Sequence, residues 1–533
     1  MNNGKICVSV CAETAEEMIA KIRKAEEFAD VIEVRFDCLR RDQIERLKFE
    51  ISNLKFQIPF LATFRSHEQG GNSDATLNER RTFWQMNQGK FWGGDFEVDV
   101  LNDSQGWTNR IVSNHDFDGV SSDLDLIYKR MAATEAEIIK IAVTANNIVD
   151  CLPVWKLFDF ARIEGKQIIP IAMGDAGMWT RILGPAHGAF MTYASLETGN
   201  ETAPGQITAK DLIETYRVKD LDENTQVFGV IGDPISQSLS TYMHNPAFAA
   251  ASVNAVFIPF LVKDIGQFIA RMVKPETREV ELNFGGFSVT MPHKQSIIRH
   301  LDAIDPTAEK IGAVNTIKIE DGKLTGCNTD AHGFITPLKA KFGDLKGVRV
   351  AVFGAGGAAR ACVFALKQDG ADVTVFARNP IKGNALADEF GVRFSEISNF
   401  KSEITNLGSE VPGFKSQISN LKSQITDQGS EFPGAEFDIL VDTTPLGMKG
   451  ALENDSLFIA DQLDGLKFVY DLVTKPTDTP LIREAKKAGI PAIGGLEMLV
   501  AQGVKQFEIW TGLTAPVDMM REKVLERIRQ IQK

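Results

Sequence analysis

Between Lys5 and about Tyr216, short apolar runs recur along the chain, each followed by a polar or amphipathic stretch. The runs are KICVSV, DVIEVRFD, IPFLATFR, DFEVDV, RIVSNHDF, EIIKIAVTA, QIIPIAMG and AFMTYAS. Eight strand-like runs alternating with helical segments predict a (β/α)8 barrel of about 200 residues or more. Chemistry in such a barrel sits at the C-terminal strand ends, which is where the pattern places Glu33, Arg35, Arg65, His115 and Lys140.

Around 218–225 the pattern gives way to a charged linker and restarts at QVFGVIG. A second region, about 226–335, again alternates strands and helices. A third opens with GVRVAVFGAGGAARACVFAL, a strand, a glycine-rich turn and a helix, as in a Rossmann-type domain. The expected architecture is α/β throughout, with a barrel over 1–220 followed by a two-lobed part. Its lobes are 226–335 and 336–497, and helices from about 498 to 533 are expected to return to the first lobe. A seven-residue period nested in a 21-residue duplication runs from Ser395 to Glu436, with an echo at Phe49–Pro59. Pro412 and Pro433 interrupt its helical spacing, so an exposed repeat insertion is expected, with a coiled-coil partner site as the alternative.

Charge narrows the function. The 533 residues carry 58 Lys+Arg against 71 Asp+Glu, a net charge of −13, without a long basic run. Such a surface repels nucleic acid and anionic membrane, leaving small-molecule chemistry. The six cysteines are scattered, without zinc-site spacing, and read as reduced, mostly buried thiols; no metal is expected. The N-terminus lacks a signal pattern and no stretch approaches the ~18 apolar residues of a membrane span, so a cytoplasmic protein is expected.

Lys140 interrupts an apolar run, where a desolvated lysine can become an amine nucleophile that forms a Schiff base; a surface lysine at a strand edge is the alternative. With His115 as a base beside it, the pair fits proton abstraction next to a carbonyl. The motifs Glu33-Val-Arg35-Phe-Asp, Thr-Phe-Arg65, Ser-Asn-His115-Asp-Phe, Lys140-Ile-Ala-Val, Arg181-Ile-Leu-Gly and Ala203-Pro-Gly-Gln206, in this order, resemble type I 3-dehydroquinate dehydratase over residues 1 to about 220. The resemblance implies that Lys140 forms an imine with the C3 ketone of 3-dehydroquinate. It makes His115 the group that removes a C2 proton and later protonates the departing hydroxyl. Arg181 would hold the carboxylate, Glu33, Arg35 and Arg65 the hydroxyls, and Thr202 and Gln206 would close a lid loop. Two positions depart from the family: Gln69 stands where a glutamate partners the histidine, with Glu68 one residue early, and Thr202 replaces a common serine.

Gly354-Ala355-Gly356-Gly357-Ala358 lies between an apolar strand and an apolar helix, the context of a dinucleotide fingerprint whose glycines let the backbone approach pyrophosphate. About twenty residues on, the next strand ends in Arg378-Asn379 rather than in an acid, which favours NADP over NAD. The motifs SLS, VTMPHK, GAVNT, NTDAHG, GAGGAAR, ARN, DTTPLGM and GGLEMLVAQG resemble shikimate dehydrogenase over about 226–530. That resemblance implies Lys294 and Asp330 as the catalytic pair. It gives Ser238, Ser240, Thr290, Asn315 and Gln502 as shikimate ligands, and Gly354 to Ala358, Arg378, Asn379, Leu472 and Gly495 as NADP ligands. Thr474 stands where tyrosine is frequent, and Asp442 where asparagine is.

Together the two resemblances imply a bifunctional enzyme that dehydrates 3-dehydroquinate and reduces the resulting 3-dehydroshikimate to shikimate with NADPH. An NAD-dependent quinate or shikimate oxidoreductase and a catalytically weakened metabolite sensor are the rival readings.

Overall fold

The computed structural model describes residues 4–54, 56–235, 238–396 and 436–532. By backbone contacts the chain divides into two compact units, Met1–Asp302 with Ile317–Leu324, and Ala303–Thr316 with Thr325–Lys533.

All eight apolar runs of the first 200 residues are strands: β1 (Ile6–Val10), β2 (Val31–Arg35), β3 (Phe60–Thr63), β4 (Gly93–Glu97), β5 (Arg110–Asp116), β6 (Ile138–Thr144), β7 (Gln167–Met173) and β8 (Thr192–Ala194). They form one parallel sheet in the order β7-β6-β5-β4-β3-β2-β1-β8, with β8 returning beside β1 and a single bridge, Ile168 to Ala189, near the remaining seam. Both faces of these strands are buried, which is why they read as continuous apolar runs. The intervening helices bury one stripe. Ala15–Ala25 starts at a Thr14 N-cap and buries Ala15, Met18, Ile19, Ile22 and Ala25. The Ile44–Asn53 helix runs into the echo repeat at Phe49, so the echo contributes to an ordinary barrel helix there, although the helix buries only Leu47.

The two-residue step of a strand sets the interior in layers. Cys7, Val31, Leu61, Ile111, Ile138 and Ile169 pack together as an apolar floor. One step along the same strands stand Ser9, Glu33, Thr63, Asp95, Ser113 and Lys140. Arg35, Glu97 and His115 follow one step further. Lys140 is the third of seven residues in β6, so it and Glu33 lie a layer below the strand ends where the sequence pattern had placed them.

The next sheet comprises β9 (Gln226–Gly232), β10 (Ala255–Leu261), β11 (Phe284–Val289), β12 (Ala303–Ile304), β13 (Thr316–Glu320) and β14 (Lys323–Cys327), in the order β10-β9-β11-β13-β14-β12. The last sheet, β15 (Arg349–Phe353), β16 (Asp372–Ala377), β17 (Arg393–Glu396), β18 (Ile439–Asp442), β19 (Phe468–Asp471) and β20 (Ala492–Gly494), is parallel in the order β17-β16-β15-β18-β19-β20. That is the doubly wound order, with the reversal between β15 and β18. Ser395 and Glu396 complete β17; the repeat from 397 to 435 lies outside the described residues.

One expectation fails. Cys11, just after β1, and Cys38, just after β2, form a disulfide, so two of the six cysteines are not thiols. Their spacing of 27 residues carries no signal in the sequence, but adjacent parallel strands bring their C-terminal ends together. Cys7, Cys151, Cys327 and Cys362 are not disulfide-bonded.

Candidate active sites

A cavity of about 430 Å3, its open mouth included, lies at the C-terminal ends of the barrel strands. Glu33, Arg35, Arg65, His115, Lys140, Arg181, Thr202 and Gln206 all line it, together with Gln69, Phe117, Met173 and Tyr193. The structure therefore gathers every barrel residue singled out from the sequence except Glu68, which is exposed and does not line the cavity.

Lys140 Nζ is 2.8 Å from Asp95 Oδ2 and 3.9 Å from Glu33 Oε1, and sits 3.8 Å from the centre of the Tyr193 ring. Asp95 also receives Arg65, at 2.8 Å, and the Ser113 hydroxyl. Burial alone would raise the Asp95 carboxyl, but Arg65, then Lys140, hold it well below the carboxylate range. Arg65 further donates to Ser113 Oγ at 2.6 Å and lies 3.5 Å from Glu97. Glu33 accepts from Thr63 at 2.8 Å and from Ser9. Asp95, Glu97, Ser113, Thr63 and Tyr193 were not singled out from the sequence. Their signal is there as alternation, since Asp95 and Glu97 repeat on β4 the two-residue step of Glu33 and Arg35 on β2.

His115 is half-buried. Burial, then the positive charges of Arg65 and Lys140, hold it well below the ordinary imidazole range, so it stands neutral at pH 7. Gln69, not Glu68, is its partner. Gln69 Oε1 accepts the His115 backbone N–H at 3.0 Å and faces Nδ1 at 3.3 Å. The backbone donor fixes which end of the amide faces the ring. Nδ1 must then carry the proton, leaving Nε2 as the lone pair, which is the state a general base needs.

Arg181 differs from the other cations. It is 2 % exposed, its Nε has no hydrogen-bond partner among the described residues, and its guanidinium donates to the Pro204 carbonyl at 3.4 Å. Among the described residues no carboxylate pairs with it. Burial lowers its pKa to about 10. A buried guanidinium facing a cavity without a counter-ion is an anion site. Pro204 belongs to the loop that also carries Thr202 and Gln206, which are joined to one another as the Thr202 N–H donates to Gln206 Oε1 at 2.7 Å.

Among the shikimate-dehydrogenase-like positions, the first compact unit holds Ser238, Ser240, Thr290 and Lys294. Ser240 opens the helix Ser240–Ala250, and its N–H donates to Ser238 Oγ at 3.3 Å. Thr290 follows β11 and donates its N–H to Ile231 of β9 at 3.0 Å. Lys294 follows on a turn whose buried His293 ring is 2.6 Å from the Val262 carbonyl. The second unit holds Asn315, Asp330 and Gln502. Asn315 donates to Asp330 Oδ1 at 2.8 Å and to Thr329 Oγ1 at 2.9 Å, and its own Oδ1 accepts the Thr329 N–H at 2.7 Å. Gln506 Nε2 holds this segment from the helix Gly495–Thr511, reaching the Asn315 carbonyl at 3.2 Å and Thr316 Oγ1 at 3.0 Å. Gln502 lies one turn earlier, with 7 % exposure.

The glycine-rich turn lies at the sheet's reversal point. Gly354 has φ +117°, and a Cβ there would meet Thr443 Oγ1 at 2.2 Å. Gly356 is the N-cap of the helix Gly357–Gln368. The turn is thus a backbone cradle that side chains would fill, the arrangement a pyrophosphate needs. Gly495 is pressed against Leu472, whose carbonyl a Cβ would meet at 2.1 Å, so these two cofactor candidates do come together. Arg378 and Asn379 are exposed just after β16; the Asn379 side chain caps the helix Pro380–Phe390.

Asp442 and Asp471 are register partners at the ends of β18 and β19, both buried. Burial, then Asp471, pushes the Asp442 carboxyl well above its ordinary range; burial lifts Asp471 to about 6. Among the described residues there is no metal-binding group of His, Cys, Asp and Glu, and no helix long and apolar enough to cross a membrane.

Comparison with known proteins follows the same division. Residues 6–223 match the family described as type I 3-dehydroquinase, 230–317 the shikimate dehydrogenase substrate binding domain, and 495–525 the shikimate 5'-dehydrogenase C-terminal domain. Similar proteins include the bifunctional 3-dehydroquinate dehydratase/shikimate dehydrogenase, chloroplastic, of Arabidopsis thaliana, 32% identical over 97% of this chain and 84% of that one. The shikimate biosynthesis protein AroDE of Chlamydia pneumoniae is 29% identical over 95% of both. A shikimate dehydrogenase (NADP(+)) of Methanopyrus kandleri is 37% identical over 58% of this chain and 98% of its own.

Proposed function

As the chain belongs to the family of bifunctional 3-dehydroquinate dehydratase/shikimate dehydrogenases, we propose that its two centres act in succession, the product of the first being the substrate of the second. The chain is both a lyase and an oxidoreductase of the shikimate pathway, and its oxidoreductase half uses NADP. We assign dehydration to 1–220. Substrate binding for reduction falls to 226–335 with the helices from about 498 to 533, and cofactor binding to 336–497.

In the barrel, Lys140 Nζ adds to the C3 ketone of 3-dehydroquinate and water leaves as the imine forms. His115 Nε2 takes a C2 proton and returns one to the C1 hydroxyl, which departs as water; hydrolysis of the imine then frees Lys140 and 3-dehydroshikimate. Arg181 binds the substrate carboxylate. The observation that carries this reading is a buried guanidinium without a counter-ion in the same cavity as a buried lysine and a neutral imidazole. Glu33, Arg35 and Arg65 bind the ring hydroxyls, and Thr202 and Gln206 cover them.

In the second half, Ser238, Ser240, Thr290, Asn315 and Gln502 hold the carboxylate and hydroxyls of 3-dehydroshikimate. Lys294 and Asp330 form the pair that delivers a proton to the oxygen being reduced. NADPH supplies the hydride, held by Gly354, Ala355, Gly356, Gly357 and Ala358, with Arg378 and Asn379 at the 2′-phosphate and Leu472 and Gly495 at the nicotinamide. The Asn315 to Asp330 hydrogen bond at 2.8 Å supports a fixed orientation of the Asp330 carboxyl. We place the enzyme in the cytoplasm, where a disulfide such as Cys11–Cys38 is characteristically transient.

The test is an assay with 3-dehydroquinate and NADPH. Borohydride should tag Lys140 only when substrate is present, and Lys294→Ala should stop hydride transfer while dehydration continues. A Lys140→Ala protein that still dehydrates overturns the imine route. NADH outperforming NADPH overturns the cofactor contacts.

A further inference from the structure

We propose that Cys11 and Cys38 are a reversible redox pair that sets how tightly the dehydratase cavity binds its substrate. Both residues are half-buried at the rim of the barrel, whereas Cys7, Cys151 and Cys362 are buried. Their Cα atoms are 5.5 Å apart, on the segments that follow neighbouring strands β1 and β2.

The bond touches the site through its neighbours. Cys38 follows Asp37, which is buried and holds Arg35 in a two-pronged pair at 2.8 and 2.7 Å. Asp37 also accepts the N–H groups of Arg65, at 3.3 Å, and Asn72, at 3.1 Å. Asn72 Nδ2 in turn lies 3.3 Å from Cys38 Sγ and 3.7 Å from Cys11 Sγ. Within the same segment, the Gly70 carbonyl accepts from Arg35 at 3.5 Å, and Gln69 holds His115. The two sulfurs, the carboxylate that orients Arg35 and the amide that orients His115 therefore share one short stretch of chain.

Three features favour reversal over a permanent staple. The Arg40 N–H donates to the Glu13 carbonyl at 3.0 Å, so the two segments stay side by side when the bond opens and the thiols remain in reach of each other. Lys21 Nζ donates to the Cys11 carbonyl at 2.8 Å, a second contact that holds the Cys11 segment in place without the bond. A disulfide in a cytoplasmic protein is characteristically a transient or sensing one.

The chemistry is thiol–disulfide exchange with a low-molecular-weight disulfide such as oxidised glutathione. One cysteine thiolate attacks the glutathione disulfide and releases one glutathione thiolate. The second cysteine thiolate then attacks the protein sulfur of the mixed disulfide and releases the other. Two electrons pass to the glutathione pair and two protons leave the cysteines; reduced glutathione runs the steps backward.

The proposal rests on the dehydratase and cytoplasmic readings above. Its test equilibrates the full chain in glutathione buffers of graded ratio, then counts alkylated cysteines after acid quenching and denaturation. The count should pass from four to six across the series. Reduction should raise KM for 3-dehydroquinate about fivefold or more, the scale of coupling between distinct sites, with a smaller change in kcat. Oxidation of shikimate by the other half of the same chain should not change. Cys11→Ser and Cys38→Ser should each hold the higher KM in every buffer. A bond that stays closed in the most reducing buffer, or equal KM in both states, overturns the proposal while leaving the dehydratase reading intact. A chain that dehydrates in neither state overturns that reading and the proposal with it.

Discussion

Replacing Gln69 by glutamate adds one negative charge at a position where the geometry is already fixed. The new carboxylate still accepts the His115 backbone N–H, now made to Gln69 Oε1 at 3.0 Å, and lies 3.3 Å from Nδ1. At that separation and an effective dielectric of about 20, Coulomb's law gives roughly 5 kcal/mol of attraction for an imidazolium. Real neighbours of this kind shift a titration by about 1 to 3 units. In the native protein burial, Arg65 and Lys140 keep His115 neutral down to low pH. The acid limb of dehydratase kcat/KM, which reports loss of the neutral base in the free enzyme, therefore lies well below 6.5 and should rise by about 1 to 3 units in Gln69→Glu.

Initial rates of formation of the conjugated enone product from about pH 5 to 9 would read both limbs, and the 15N shifts of the ring would identify the tautomer directly. In native protein the signal should be that of Nδ1–H. An acid limb that stays in place in Gln69→Glu, or a native ring protonated at Nε2, would refute the argument that the amide selects the tautomer. The dehydrogenase pH profile of the same chain is the control, and it should be superimposable in the two proteins.

Arg181→Met should raise KM for 3-dehydroquinate by about 10- to 100-fold through loss of charge-assisted bonds, yet leave the melting temperature unchanged or higher. A guanidinium lowered to about 10 carries about 3 kcal/mol of unfavourable ionisation at neutral pH, so a marked loss of stability on calorimetry would contradict the unpaired-cation reading. Gly354→Ala forces a Cβ to within 2.2 Å of Thr443 Oγ1 at φ +117°; NADPH binding by fluorescence titration should be lost while dehydration persists. Asp442→Asn removes one of two facing buried carboxyls. An acid whose pKa is raised on folding keeps its proton where the unfolded chain has lost it, so native stability falls as pH rises from about 4 through about 6. The variant should melt several degrees higher than the native protein at pH 8 and nearly with it at pH 4. Equal gains at both pH values would show that titration is not the cause.

What the sequence made legible follows from how each signal is written along the chain. Barrel strands buried on both faces are continuous apolar runs, and the glycines of 354–357 can be recognised because close backbone approach leaves no substitute. Asp95 and Ser113 escaped notice because each is one polar residue in an ordinary strand, and only closure of the sheet carries Asp95 to Lys140, 45 residues away. The disulfide escaped for the same reason: residues 11 and 38 are neighbours only when β1 and β2 pair. The lone charge on Arg181 could not be read from residue types at all, because a missing counter-ion is a property of the packed site rather than of the chain.

The order of strands bears on synthesis of the chain. β8, at Thr192–Ala194, pairs with β1, at Ile6–Val10, so an early strand edge lacks its native neighbour until nearly 200 residues have been made. At about 5 to 20 residues per second that interval is on the order of ten to forty seconds on the ribosome. During it the nascent chain presents an unpaired apolar strand at its N-terminal edge, the condition that invites pairing with a neighbouring chain. Crowded polysomes carrying this message would thus depend on chaperone cover early in translation, and that dependence would ease once β8 has emerged and joined β1.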